Sequence, residues 1–177
     1  KGLDWKITVK NTDKKPFRFG LGTHAAFDMN GGEPEDFTVE FEKKEALTAV
    51  LCTPDGYIAA GKDGKAPVTA IYGEKEKGIV PVTAEGFGNG HLFKPMGSEW
   101  VGLRDHSDNS IIKINTKGFP FCMLWQNTAG KPQFVCIEPW YGIADAENTD
   151  HEWAGKVGMN DLAPGAEFIS IQNICVE

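Results

Sequence analysis

Along most of the chain apolar and polar residues alternate with period two. Trp5, Ile7 and Val9 alternate with Lys6, Thr8 and Lys10, which predicts a half-buried strand ended by Asn11-Thr12-Asp13. Phe17 and Phe19 repeat the pattern before Gly20, and Asp28-Met29-Asn30-Gly31-Gly32 reads as a turn. Phe37, Val39 and Phe41 predict a strand with one wet face, and Ala46–Thr53 a shorter, less regular one. Pro54–Lys65 is rich in glycine, lysine and aspartate and reads as turns. Gly78–Val82 is a short apolar run, and Thr83–Gly90 a loop or one helical turn. Trp100–Leu103 and Ile111–Ile114 form a predicted hairpin around Asp105-His106-Ser107-Asp108-Asn109. Phe119–Trp125 and Phe134–Ile137 are apolar strands joined by a turn at residues 127–132. Asn148–Asn160 is polar and loop-like, and Phe168–Val176 is the last strand. No long stretch follows the helical period. Strands recurring at this spacing predict an all-β antiparallel sandwich.

One stretch departs from simple alternation. Phe134–Ile137 leads straight into Glu138, then Pro139, Trp140, Tyr141 and Gly142. Proline cannot donate a ladder hydrogen bond, so the strand is expected to end at Pro139 and leave Glu138 at its mouth. By position alone Glu138 is either an exposed strand-end carboxylate or a general base facing an aromatic-walled cleft.

Composition narrows the picture further. A chain of 177 residues, 41% hydrophobic, suits one globular domain with a sizeable core. Twenty-one glycines and ten prolines fit a protein built from turns and strands. The net charge of -7 and the lack of a basic run argue against nucleic acid or an anionic membrane surface as partner. No apolar run reaches the ~18 residues of a membrane-spanning helix. Cys52, Cys122, Cys136 and Cys175 are widely spaced without a C-x-x-C pair, so no zinc or redox motif is expected. Cys122, Cys136 and Cys175 sit in apolar runs and read as buried free thiols of a reducing, cytoplasmic compartment.

Three segments carry a family resemblance. Cys136-Ile137-Glu138-Pro139-Trp140 resembles the C-I-E-P-W/Q segment of the aldose 1-epimerase (galactose mutarotase) superfamily, whose glutamate is the catalytic base. Gly20-Leu21-Gly22-Thr23-His24-Ala25-Ala26-Phe27 resembles the G-x-H-P-x-F segment bearing the general acid, with alanine where the family has proline. Asn89-Gly90-His91-Leu92-Phe93, continued by Ser98–Leu103, is similar to a loop and strand of the galactose-mutarotase-related branch. The segments keep their order and belong to the C-terminal part of family members. The resemblance therefore implies that residues 1–177 are the C-terminal part of a single large β-sandwich, completed by an N-terminal segment. The family also draws an arginine and a second histidine from that earlier part, and no segment here matches them.

The implied reaction interconverts the anomers of a free sugar. A base takes the C1 hydroxyl proton while an acid protonates the ring oxygen. The resemblance assigns Glu138 as base and His24 as acid, without metal or organic cofactor. On its own position His24 is a loop histidine bonded to backbone, and Gly20 and Gly22 supply special backbone angles for its loop. Trp125 and Trp140 are candidate platforms for the apolar face of a pyranose, with core packing the alternative. Asn89 and His91 fall where the family's loop binds sugar hydroxyls through an aspartate that is not present here. Asp145 is either a hydroxyl ligand or a turn cap. A non-catalytic carbohydrate-binding sandwich and a hexose-6-phosphate mutarotase are the competing readings. The phosphate reading wants a basic cluster, and near the motifs only Lys94 and Arg104 are available.

Overall fold

The computed structural model describes residues 2–61, 67–73, 77–87, 90–94, 97–127 and 130–177, the side chain of Glu85 apart. Among the described residues, fifteen strands pair antiparallel in three sheets. The first sheet contains β1 (Gly2–Lys10), β5 (Phe37–Phe41), β8 (Ile79–Pro81), β10 (Trp100–Asp105), β11 (Ile111–Asn115) and β15 (Glu167–Val176). Its order is β1-β15-β11-β10-β5-β8. The second contains β3 (Leu21–Gly22), β4 (Ala25–Asp28), β6 (Leu47–Val50), β7 (Thr69–Tyr72), β9 (His91–Lys94), β12 (Phe121–Trp125) and β13 (Phe134–Tyr141). It runs β3-β13-β12-β9-β6-β7, with β4 also alongside β13. Two short strands, β2 (Phe17–Phe19) and β14 (Asn160–Leu162), pair apart from these. Among the described residues helix is confined to short turns, one of them α1 (Ala84–Phe87). No helix among the described residues is long and apolar enough to cross a membrane.

Alternation explains the layering. Val39, Phe41, Val101, Leu103 and Ile114 of the first sheet meet Phe93, Leu124, Val135 and Ile137 of the second in one core. Each such side chain contributes about 1.5–3 kcal/mol by leaving water. Phe41 and Phe93 close the layer edge to face, with centroids 5.6 Å apart. The second sheet buries part of its outer face as well. There Val50, Ile58, Leu92, Phe121 and Ile143 form a smaller cluster with Met123 and Trp140.

The all-β sandwich agrees with the pattern, and four local expectations change. β13 does not stop at Pro139 but continues to Tyr141. Pro139 stays in register with Cys122 of β12. On its other side β4 pairs only as far as Ile137 and β3 begins at Trp140, so the proline meets a gap in the ladder where no donor is required. β7 has no counterpart among the expected strands, because Thr69-Ala70-Ile71-Tyr72 is a short edge strand with little buried surface to pattern it. β1 is a strand and is half-buried at Ile7 and Val9, but its Trp5 end is not. Leu3 and Trp5 share the inward face of Ile174 and Gln172 by register, yet remain 61% and 46% exposed, because β1 is the outermost strand. Cys175, finally, is only partly buried, whereas Cys122 and Cys136 are fully so; all four thiols are free.

Candidate active site

β13 sets the site. Its odd residues Val135 and Ile137 enter the core, so Phe134, Cys136, Glu138 and Trp140 share the opposite face. Register places Trp125, Met123 and Phe121 of β12 beside Cys136, Glu138 and Trp140 on that face. Because the strand continues past the proline, Glu138 lies inside it rather than at its mouth, and is 1% exposed.

His24 comes from the opposite side. Thr23 and His24 bridge β3 and β4, the two short strands that flank the ladder gap beside Glu138. Thr23 is buried and its hydroxyl donates to Oε1 of Gln172 on β15, which ties this segment to the first sheet. The His24 side chain is 64% exposed and stands with Nε2 at 3.3 Å from Glu138 Oε1. The Trp125 ring meets it edge to face at 6.0 Å. Gly22 needs no unusual backbone angle, contrary to expectation. Its role is room: a Cβ there would lie 2.5 Å from the Trp140 ring. The indole therefore packs directly on the β3 backbone.

Burial pushes the Glu138 carboxyl up to about 7, with the Trp140 indole acting weakly in the opposite sense as a hydrogen-bond donor. Glu138 Oε2 is buried without a hydrogen-bond partner. That is an expensive arrangement for a structural residue. Burial, and then the charge of Glu138, push the Cys136 thiol up to about 11.

His24, Glu138 and Trp140 line a cleft of about 400 Å³. Trp140 also borders an adjoining cavity of about 750 Å³, which Trp125 and Met123 line. Trp140 thus lines both, and Trp125 only the second. Of the remaining sequence candidates, His91 borders the second cavity with Trp125 and Trp140 but is not brought to His24 and Glu138, and Asp145 lines neither cavity. His91 shares the core-side face of Leu124 and Phe93 by register; its Nε2 lies 2.9 Å from the Gly86 carbonyl, and its ring packs on Tyr72. Asp145 accepts a hydrogen bond from Lys156 at 2.8 Å and borders a different cavity. Asn89 lies outside the described residues. Conversely, Trp153 and Lys156 line the cleft with His24 and Glu138, from a segment that reads as a polar loop. The signal there is a lone tryptophan among polar residues. The ammonium of Lys156 sits 5.4 Å above its ring.

No protein-family model matches the chain, and no curated protein matches it in sequence. Solved structures do match in fold. A galactose mutarotase-related enzyme from Lactobacillus acidophilus superposes over 99% of this chain with a TM-score of 0.80 and 23% identity. A galactose mutarotase-like protein from Lactobacillus casei covers 98% with a TM-score of 0.83 and 20% identity. A galactose mutarotase-like protein from Clostridium acetobutylicum covers 98% with a TM-score of 0.63 and 15% identity. The chain spans 57%, 58% and 52% of those three chains, little more than half of each. At these identities the likeness establishes architecture, and on that ground the chain has the galactose mutarotase-like sandwich fold.

Proposed function

We propose that the protein to which this chain belongs interconverts the α and β anomers of a free hexose or related sugar, with Glu138 as base and His24 as acid. The observation that carries this reading is the 3.3 Å contact between Glu138 and His24 at the floor of an aromatic-walled cleft. The two groups sit side by side rather than on opposite sides of a ring. That suits the reaction, because the C1 hydroxyl and the ring oxygen are bonded to the same carbon. Glu138 takes the hydroxyl proton, the C1–ring-oxygen bond breaks, and the ring oxygen receives the proton of His24. The resulting aldehyde turns about C1–C2 and closes by the reverse transfers. A base is most effective when its pKa lies near the working pH, which a carboxyl held at about 7 satisfies. Trp140 and Trp125 cover the apolar face of the sugar. Four free thiols are consistent with work in a reducing cytoplasm.

Polarimetry on freshly dissolved α-glucose and α-galactose tests the proposal on the full-length protein. Faster decay of rotation than in buffer is expected. Sugar binding without acceleration on several aldoses would replace an isomerase by a carbohydrate-binding sandwich.

A further inference from the structure

Cys136 takes no part in the proton transfers, yet it is fully buried one strand step from Glu138 on the same face. Its Sγ, a carboxylate oxygen of Glu138 and a ring nitrogen of His24 all lie within 4.8 Å of one another. We propose that these three side chains form a binding site for a zinc-class divalent cation, and that the bound ion closes the cleft to sugar. The second clause rests on the acid–base reading above; the first does not.

The geometry favours a small tetrahedral ion. Zinc bonds of about 2.0–2.2 Å to nitrogen and oxygen place two ligand atoms about 3.4 Å apart at a tetrahedral angle. His24 Nε2 and Glu138 Oε1 already stand 3.3 Å apart. The sulfur, within 4.8 Å of both, completes the set by closing to the roughly 3.6 Å that zinc–sulfur bonds of about 2.3 Å require. Its partner on the same strand carries Oε2, buried without a hydrogen bond, and a cation would add charge compensation that the nearby Trp140 indole does not supply. A mixed sulfur, nitrogen and oxygen set excludes magnesium and calcium, which take oxygen ligands, and suits zinc. The exposed side of His24 leaves a fourth position open to water. Coordination involves no redox change. The thiol releases its proton to solvent, and imidazole and carboxylate each give a lone pair. With both Glu138 and His24 holding the metal, neither is free to move a sugar proton.

Cobalt reports on such a site directly. The full-length protein is stripped with chelator and titrated with Co²⁺. One ion per chain is expected, with thiolate-to-cobalt charge-transfer absorption in the near ultraviolet that Zn²⁺ bleaches. Cys136→Ser and His24→Ala should each abolish that absorption and weaken Zn²⁺ binding by tenfold or more in calorimetry. His24 is exposed, so its variant decides the matter if the buried cysteine variant fails to fold. Co²⁺ binding without charge transfer, or an unchanged band in His24→Ala, would overturn the site. If the band appears but wild type does not accelerate anomer exchange, the metal site stands and the mutarotase reading falls. Acceleration without any band would overturn the metal site and leave the mutarotase reading standing. Where both hold, Zn²⁺ should slow anomer exchange, and sugar should raise the Zn²⁺ concentration needed.

Discussion

Two strands of the sandwich each bury a polar side chain, and they do so differently. On β15, Gln172 is 1% exposed and points inward, where it accepts the Thr23 hydroxyl. On β13, Glu138 is equally buried, but one carboxylate oxygen has no hydrogen-bond partner and its other faces a solvent-exposed histidine. The glutamine's inward oxygen is matched inside the protein, so it reads as scaffold. The glutamate's is left unmatched, so its environment disfavours the charge it would carry. Burial alone does not separate structural from chemical polar residues. Between Gln172 and Glu138 the difference is whether the fold supplies that oxygen a hydrogen bond.

The largest effect expected from that contrast is on catalysis. Glu138→Gln keeps the shape and removes the base, so anomer exchange followed by polarimetry should slow by about 10²–10⁴. A variant as fast as wild type would place Glu138 with Gln172 as scaffold. The wild-type rate should also fall about tenfold per pH unit below about 7, as Glu138 takes up the proton it must lose to act. A rate flat from pH 8 to pH 5 would show that the carboxyl does not titrate in the working range.

On the other strand the effect is on stability. Gln172→Leu strands the buried Thr23 hydroxyl and should cost about 1–3 kcal/mol in denaturant unfolding. Adding Thr23→Val should restore most of it, since removing both partners leaves nothing unpaired. Failure of the double variant to recover would mean that Gln172 supports more than Thr23.

The smallest effect has the opposite sign. Glu138 has a folded-state pKa of about 7 against an ordinary 4.5. The folded chain therefore holds this proton more tightly, a stabilisation fully present below about 4.5 and lost as pH rises through 7. Glu138→Gln should thus melt higher than wild type at pH 8, by on the order of 1 kcal/mol, with the gap closing at pH 4.5. Equal melting at both pH values would remove the contrast between the two strands.

The sandwich was legible because most strands bury one face, so alternation survives in the sequence. It fails where both faces are covered. In His91-Leu92-Phe93 the neighbours Leu92 and Phe93 are both buried, on opposite sides of the sheet. The pattern therefore gives no parity there, and it does not reveal that His91 packs beside Phe93 and Tyr72 while bordering the cavity of Trp125 and Trp140. Glu138 stands out because a carboxylate closes an apolar run, although the strand does not end at Pro139, whereas His24 stands out only through the resemblance of its segment to the family motif. A proline ends a strand only where its missing donor is needed, and that depends on a gap formed by distant β3 and β4. Trp153 and Lys156 escape notice because a loop has no period to reveal which way its side chains turn. Cys136 reads as a packing thiol, since its nearness to His24 exists only after folding.

The gap that lets Pro139 stay in its strand also governs how His24 is held. Thr23 and His24 join β3 to β4 without belonging to either strand. A side chain on such a link can swing without unzipping a sheet, on the nanosecond to microsecond scale of loop motion. Glu138, clamped between ladder positions, has no such freedom. On the proposed reading the cleft then has one side fixed at Glu138 and one, at His24, whose side chain is free to turn. Amide hydrogen exchange should show this as early labelling at His24 beside a slow-exchanging β13.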